Sequence, residues 1–280
     1  MKTCDLHTHS DFSDGTFSPT EIIREAEKLG LSAVALTDHN TVKGLSEFIS
    51  AAMDRNLEAI PGIELSTEYN GTELHVLGLF IDERYYGEIT ELTDKTHAEK
   101  AKSNLLLISR LYDAGYKLDM KKLEKACRGG SFNRAHVASE LVEKGYFASN
   151  EECFDTVLKK GNGFYTPPER IGSLEAIEFL TSVNTVPVLA HPLLQLNEAE
   201  LREFLPRAKV CGLRGMETSY SLYSAEEQAL SENIAREHGL AFSGGSDFHG
   251  TKKPSISLGS GKGSLSVPLE YLETLKAFTR

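Results

Sequence analysis

Short apolar runs alternate with longer amphipathic segments over most of the chain. Four early runs predict strands, at 2–6, 33–36, 57–65 and 74–80. Two stretches between them have the helical period, at 18–30 and 41–53, and the first opens with Ser18 as its cap and Pro19 at its first position. After residue 173 the alternation resumes as helix 174–183, strand 186–190, helix 198–208, strand 213–217, a helix capped by Ser224, strand 240–243 and a short helix from Pro268.

The pattern changes between residues 83 and 161. Helical periodicity dominates at 83–127, 133–145 and 150–161, and no apolar run there has the character of a strand. We therefore expect a helical insertion (lid) domain at 95–163, set into a main domain formed by 1–94 and 164–280.

Repeated strand–helix units place the protein in the α/β class and predict a mainly parallel sheet. Such a sheet is either closed as a barrel or open and doubly wound, and we favour the barrel. In both architectures the functional site lies at the carboxyl ends of the strands. The residues that follow each strand are therefore the informative ones.

The composition is that of a globular protein, with 40% hydrophobic and 25% charged residues among 280. The sequence lacks a run of about eighteen apolar residues that would span a membrane. The first residues contain no apolar core of a signal peptide. The four cysteines are scattered, as expected of reduced thiols. We expect a cytoplasmic protein with no membrane partner.

The formal net charge of −11 argues against binding of long nucleic acid. The charge is uneven, however. Residues 95–160 carry 13 basic and 9 acidic side chains, net +4, whereas the rest carries 17 basic and 32 acidic, net −15. This contrast predicts a basic segment set into an acidic body, which suits a small anionic ligand.

Metal-binding types of side chain follow nearly every predicted strand. In chain order they are Asp5, His7, His9, Asp14, Asp38, His39, Glu64, His75, His191, Asp247 and His249. Residues two apart on an extended chain point the same way, so His7 and His9 can direct two ligands into one cavity. A single histidine such as His75 is more often structural. The complete set favours a site for several divalent ions.

Taken together, these segments resemble the PHP (polymerase and histidinol phosphatase) family over the whole chain. The segments are Asp5-Leu6-His7-Thr8-His9-Ser10, Thr37-Asp38-His39-Asn40, Gly62-Ile63-Glu64, His75, Ala190-His191-Pro192 and Gly245-Ser246-Asp247-Phe248-His249. The resemblance implies a distorted (β/α)7 barrel that binds two or three divalent ions, usually manganese, iron or zinc. It implies three ligand groups, namely His7, His9, Glu64 and Asp247; Glu64, His75 and His191; and Asp14, His39 and His249.

The ions would catalyse the hydrolysis of phosphate esters, which is extremely slow without a catalyst. Closely spaced divalent ions lower the pKa of a shared water and hold the attacking and leaving oxygens. The resemblance thus implies attack on phosphorus by a hydroxide that bridges two ions. For Asp38 we favour a role in orienting a ligating histidine over a role as a catalytic acid.

A second candidate site lies in the predicted insertion. Asn133, Arg134, Ala135 and His136 open a helix there. A cation at this position opposes the helix dipole and favours an anionic partner, although a solvated first turn is the alternative. Together with 164–168, the segment resembles PHP proteins that act on nucleoside 3′,5′-bisphosphates and 5′-phosphorylated short RNA, usually with proline in place of Ala135. That resemblance implies that Arg134 and His136 hold a phosphate that is not cleaved.

We therefore expect a phosphoesterase that removes the 3′-phosphate of a nucleoside 3′,5′-bisphosphate, leaves an AMP-like product, and also trims short oligoribonucleotides. A histidinol phosphate phosphatase is one alternative, and it would need an anionic pocket for the amine of its substrate. An amidohydrolase commonly uses a bridging lysine where this chain has Glu64. A non-catalytic PHP module of the kind attached to DNA polymerases is the alternative from another class.

Overall fold

The computed structural model describes residues 2–125, 132 and 134–279. The chain divides into two compact units. Met1–Thr90 and Ile171–Arg280 form the first, here called the barrel unit, and Glu91–Arg170 form the second, the helical unit.

All strands of the described residues belong to the barrel unit. They are β1 Thr3–Asp5, β2 Ala33–Leu36, β3 Glu58–Tyr69, β4 Thr72–Leu79, β5 Val186–Leu189, β6 Gly215–Tyr220, β7 Ala241–Gly245 and β8 Val267–Pro268. The α-helices are α1 Pro19–Lys28, α2 Leu45–Ala52, α3 Tyr86–Asp113, α4 Met120–Lys125, α5 Arg134–Glu143, α6 Asn150–Cys153, α7 Ser173–Ser182, α8 Glu198–Cys211, α9 Ala225–Glu237 and α10 Leu269–Lys276. Among the described residues, no helix combines the length and the apolar character needed to cross a bilayer.

The strands lie side by side in the order β7-β6-β5-β4-β3-β2-β1-β8. The chain just after β1 also meets β7, because Leu6 N–H donates to the Gly244 carbonyl (3.1 Å) and Asp247 N–H donates to the His7 carbonyl (2.9 Å). This seam nearly closes the sheet, which confirms the predicted α/β barrel. β8, which the sequence pattern did not predict, pairs antiparallel with the beginning of β1.

One strand departs from the expected parallel arrangement. β4 runs antiparallel to both β3 and β5. β3 and β4 are joined by Asn70 and Gly71, with φ of 51° and 80°. Positive φ at both central residues is typical of the two-residue turn that joins antiparallel strands, so no helical crossover intervenes. The barrel is distorted for this reason.

The predicted helix 83–127 is divided. A 3₁₀ turn at Glu83–Tyr85 precedes α3, which ends at Asp113, and α4 begins only at Met120. Gly115 has φ of 92°, a conformation that terminates helices. Similarly, the helix predicted at 41–53 begins at Leu45. Cys127 and Asn133, included in predicted helices, lie outside the described residues.

Each unit has its own apolar core. In the barrel, the strand residues Cys4, Ala35, Leu77 and Val188 pack together with side chains of α10. In the helical unit a separate cluster joins α3 to α5 and to the π-helical turn at Phe154–Leu158. Each unit therefore buries apolar surface in a cluster of its own.

Candidate metal centre

The predicted ligands of the barrel converge at one end of it. His7 and His9 continue the extended chain after β1, and backbone bridges join His39 to Glu64 and Thr8 to Phe248. This is the carboxyl end of the parallel strands. Because β4 runs in the opposite direction, its beginning faces the same end, and His75 lies there.

The carboxylate of Glu64 lies in the middle of the cluster and is fully buried. Its Oε2 is 3.2 Å from Nε2 of His7, 3.3 Å from Nε2 of His9 and 2.9 Å from Nδ1 of His39. One carboxylate oxygen therefore faces three imidazole nitrogens.

The second oxygen of Glu64 faces two further histidines. Oε1 is 2.8 Å from Nδ1 of His75 and 3.1 Å from Nε2 of His191. The two oxygens thus serve two separate groups of nitrogens. A carboxylate in this position can bridge two ions.

A third group forms around Asp14, whose side chain is the most exposed of the set at 36%. Its Oδ1 is 3.1 Å from Nε2 of His249, 3.9 Å from Nδ1 of His9 and 4.0 Å from Nε2 of His39. The exposure of Asp14 marks the side from which solvent reaches the centre.

Asp247 has one oxygen in the cluster and one outside it. Its Oδ1 is 3.2 Å from Nε2 of His9 and 3.3 Å from Nδ1 of His249. Its Oδ2 accepts hydrogen bonds from the Tyr220 hydroxyl and the Lys253 ammonium, both at 2.8 Å. These donors fix the carboxylate in the orientation that points Oδ1 inward.

The chemistry of the donor set fits divalent ions. Six buried side-chain atoms of the cluster make no hydrogen bond within the described structure: Nε2 of His7, Nδ1 and Nε2 of His9, Oδ1 of Asp14, Nδ1 of His39 and Oε2 of Glu64. Buried polar atoms without partners are costly, so this donor set suits a bound cation. Two atoms that bind one ion at right angles, each about 2.1 Å away, are about 3.0 Å apart. Separations of 2.9–3.3 Å between these nitrogens and carboxylate oxygens match that spacing.

The ionisation states of the cluster divide into two kinds. Against the effect of burial, nearby carboxylates raise the pKa of His7, His39 and His75, the last to about 10. Burial, together with the neighbouring His249 and His39, lowers the pKa of His9 to about 3, which keeps its ring neutral. Burial alone would raise the pKa of Glu64, but His39 and His7 hold it well below its usual range. Neutral imidazoles and ionised carboxylates are the forms that bind metal ions, so binding at His7, His39 and His75 would release protons, whereas His9 and Glu64 are already in the required form.

Glu217, on β6, is a site residue that the sequence analysis missed. It is fully buried; its Oε1 is 3.0 Å from Nδ1 of His7, and its Oε2 accepts the backbone N–H of His191 at 2.8 Å. A carboxylate on the outer nitrogen of a ligating histidine fixes the ring and its tautomer. The sequence signal for this role was an acidic residue in a predicted strand, where the residues on either side of it are small or apolar.

Asp38 acts differently from the prediction. Its carboxylate accepts hydrogen bonds from the Ser10 N–H (2.7 Å), the Ser10 hydroxyl (2.5 Å) and the Ser13 hydroxyl (2.5 Å). The interpretation that Asp38 orients a histidine is therefore wrong. It instead holds the turn that leads to Asp14, because the serines of that turn donate hydrogen bonds to it.

Three residues of the centre have a left-handed backbone. Asn40, His191 and Asp247 have φ of 51°, 29° and 56°. Such conformations cost about 1–3 kcal/mol each in non-glycine residues and persist where the surroundings fix them. The Asn40 side chain is held by Ser66, whose N–H it accepts at 3.0 Å. The centre is thus built on a strained and fixed scaffold.

The second candidate site lies in the helical unit. Arg134 is the first residue of α5; its guanidinium lies 4.1 Å from the centroid of the Tyr165 ring and donates to the Leu158 carbonyl at 3.1 Å. Within the described residues, no carboxylate forms an ion pair with it. His136 lies two positions further along α5 and is partly buried.

Comparison with known proteins identifies the family. A model described as the PHP domain matches residues 5–165. The chain is 31% identical to a 5′-3′ exoribonuclease of Haemophilus influenzae, covering 89% of this chain and 90% of the relative. It is 27% identical to a 3′,5′-nucleoside bisphosphate phosphatase of Chromobacterium violaceum, covering 89% and 88%.

A solved structure agrees with this assignment. It comes from Bifidobacterium adolescentis, is assigned as a metal-dependent phosphoesterase, and superposes with a TM-score of 0.83 at 25% identity over 100% of this chain and 97% of the other. Sequence, fold and the buried His/Asp/Glu cluster therefore lead to one conclusion: the chain belongs to the PHP family and is a metal-dependent phosphoesterase.

Proposed function

We propose that the enzyme removes the 3′-phosphate of nucleoside 3′,5′-bisphosphates and trims short 5′-phosphorylated oligoribonucleotides from the 5′ end. Both reactions break the ester at a 3′ oxygen and release a nucleoside 5′-monophosphate. The relatives named as a 5′-3′ exoribonuclease and as a bisphosphate phosphatase support both substrates. In each substrate a 5′-phosphate has to be bound without being cleaved.

The residues of the barrel would hold the ions in three groups. They are His7, His9, Glu64 and Asp247; Glu64, His75 and His191; and Asp14, His39 and His249. Divalent ions bound there supply a nucleophilic water of lowered pKa and positive charge around the transferring phosphoryl group. Manganese, iron and zinc all suit this nitrogen and oxygen donor set.

The observation that carries the substrate assignment is the state of Arg134. Its guanidinium is oriented by the Tyr165 ring and by a backbone carbonyl, and the described residues place no carboxylate on it. A positive charge at the start of a helix is also opposed by the helix dipole. A bound phosphate would compensate both the positive charge of Arg134 and the positive end of the helix dipole. It also accepts paired hydrogen bonds from a guanidinium.

Release of phosphate from a panel of substrates tests the proposal. The panel contains adenosine 3′,5′-bisphosphate, adenosine 3′-monophosphate and histidinol phosphate, with manganese present. Wild-type enzyme should favour the bisphosphate. Arg134→Ala should lower kcat/KM for the bisphosphate by about 10²-fold, consistent with the loss of a charged hydrogen bond, and should change the monophosphate far less.

Two further variants make this test specific. Arg134→Lys keeps the charge but not the planar fork, so it should restore only part of the activity. Arg84→Ala removes an exposed arginine of the barrel unit and should behave as wild type. An equal loss on every substrate would contradict the proposed role of Arg134. Preference for histidinol phosphate would contradict the proposed substrate.

A further inference from the structure

A pocket of about 370 Å³ lies beside the metal centre within the barrel unit. Its size is in the usual range for sites of small ligands. Its polar lining includes Tyr220, Asp247, Lys252, Lys253, Ser255 and Lys262, and we call it the lysine pocket.

The lysine pocket is positively charged. Asp247 is the only acid among its lining residues, and both of its oxygens have partners, Oδ1 in the centre and Oδ2 with Tyr220 and Lys253. Lys252 and Lys262 are exposed, and the described part of the chain gives neither of them an ion pair. Two ammonium groups therefore remain available to an anion.

The pocket is joined directly to the centre. The Lys253 ammonium is 2.8 Å from Oδ2 of Asp247, and Oδ1 of the same carboxylate is 3.2 Å from Nε2 of His9. Lys252 ends the 3₁₀ turn Gly250–Lys252, which follows His249 without a gap. An anion in the pocket would therefore lie next to the phosphate that is hydrolysed, and not at a remote surface.

We propose that the lysine pocket binds the internucleotide phosphate that follows the scissile phosphate in an RNA chain. The inference rests on the proposed function, since it assigns a part of the same substrate. A nucleoside bisphosphate ends at the scissile phosphate and leaves the pocket empty. A 5′-phosphorylated trinucleotide has one more phosphate at the required position and should gain affinity from it.

The chemistry of the lining fits this ligand. Lysine ammonium groups act as point charges on flexible stems and need no fixed geometry. They neutralise backbone phosphates without contacting base edges, so they select for length and not for sequence. Tyr220, the one aromatic side chain of the lining, has its hydroxyl bound to Asp247.

Three substrates that differ by single units test the inference: adenosine 3′,5′-bisphosphate, pApA and pApApA. The dinucleotide lacks the following phosphate and the trinucleotide has it. In the double variant Lys252→Gln/Lys262→Gln, the ratio of kcat/KM for pApApA to that for the bisphosphate should fall about tenfold, mainly through KM. The salt dependence of log kcat/KM for pApApA should weaken by about 0.7 for the lost phosphate contact.

Matched variants control for charge. Lys2→Gln/Lys28→Gln removes two exposed positive charges, just before β1 and at the end of α1, at the end of the barrel opposite the metal centre, and should leave the ratio unchanged. Lys252→Arg/Lys262→Arg keeps both charges and should retain the wild-type ratio. Binding of a fluorescent 5′-phosphorylated trinucleotide, followed by anisotropy, should weaken in the glutamine variant and not in the arginine variant.

The outcomes separate the two proposals. Equal loss on all three substrates, or an unchanged ratio with unchanged trinucleotide binding, would overturn the lysine pocket while leaving the proposed function intact. Wild-type enzyme that hydrolyses none of the three would overturn the proposed function. In that event the binding titration alone decides whether the lysines hold the trinucleotide.

Discussion

Glu217 and His7 form a fully buried carboxylate–imidazole pair, with Oε1 of Glu217 3.0 Å from Nδ1 of His7. The pair leaves Nε2 of the ring to face Glu64 at 3.2 Å. Since the hydrogen on an imidazole is placed by the partner of its other nitrogen, Glu217 determines that His7 presents a lone pair to the centre.

Glu217→Gln should therefore weaken the centre without emptying it. Metal affinity and kcat should each fall by about 10–100-fold, the usual effect of losing a partner of a ligating histidine. Manganese titration, metal content and phosphate release measure the effect. Glu203→Gln, on the exposed face of α8, is the control and should match wild type. Unaltered manganese affinity in Glu217→Gln would show that the pair is only structural.

Removal of metal should destabilise the barrel unit. Six buried polar atoms of the cluster have no hydrogen-bond partner within the described structure, and bound ions would satisfy them. Each ion at a hundred times its Kd adds about 2.7 kcal/mol to the free energy of unfolding. Calorimetry should show a lower Tm after EDTA and recovery with manganese. Glu64→Gln should reduce that difference, and an identical Tm with and without metal would contradict the expectation.

His249→Ala should reduce hydrolysis by about 10²–10³-fold, since one group that stabilises developing charge is lost. Its Nε2 lies 3.1 Å from Asp14, so the third group loses the imidazole nearest to Asp14 and keeps His39, while the five histidines around Glu64 are unchanged. Nucleotide binding by equilibrium dialysis should persist. His238→Ala, at the end of α9, provides a histidine control outside the centre. Full turnover by His249→Ala would remove the third group from the mechanism.

Gly245→Ala should destabilise the seam of the barrel. A methyl group there would lie 2.4 Å from Cβ of His7 and 2.5 Å from its backbone nitrogen, so the backbone has to shift. Overpacking of this kind costs about 1–3 kcal/mol. Urea unfolding measures the loss. Gly87→Ala, where nothing lies within 4 Å of the added methyl, should not destabilise. Equal stability of the two variants would refute close contact at the seam.

The sequence predicted the barrel and the convergence of the site because strand ends and ligand types coincide. His7 and His9 follow β1, and Asp247 follows β7, so a closed parallel sheet places them together. The prediction of parallel strands failed at β4, where Asn70 and Gly71 form a tight turn. The Asn-Gly pair is a local signal for such a turn. The strand–helix repeat of the rest of the chain nevertheless favoured parallel strands.

Other features depend on tertiary contacts that no local pattern encodes. Glu217 ends a predicted strand as the other ligands do, but it has no neighbouring histidine, and its role on the outer nitrogen of His7 follows only from the tertiary contact. The residues of β8 form a strand of two positions, too short for a periodic signal. The role of Asp38 likewise depends on a tertiary contact, because its donors Ser10 and Ser13 lie more than twenty residues earlier in the chain.

The seam between β1 and β7 also has a consequence for biosynthesis. His7 leaves the ribosome well before Asp247, whose N–H donates a hydrogen bond to the His7 carbonyl. Domains generally fold as units during synthesis, so the nascent polypeptide has to wait for β7 before the ligand groups can assemble. A nascent chain that stops short of β7 thus carries most of the histidines but no competent centre, and hydrolysis has to await the synthesis of that strand.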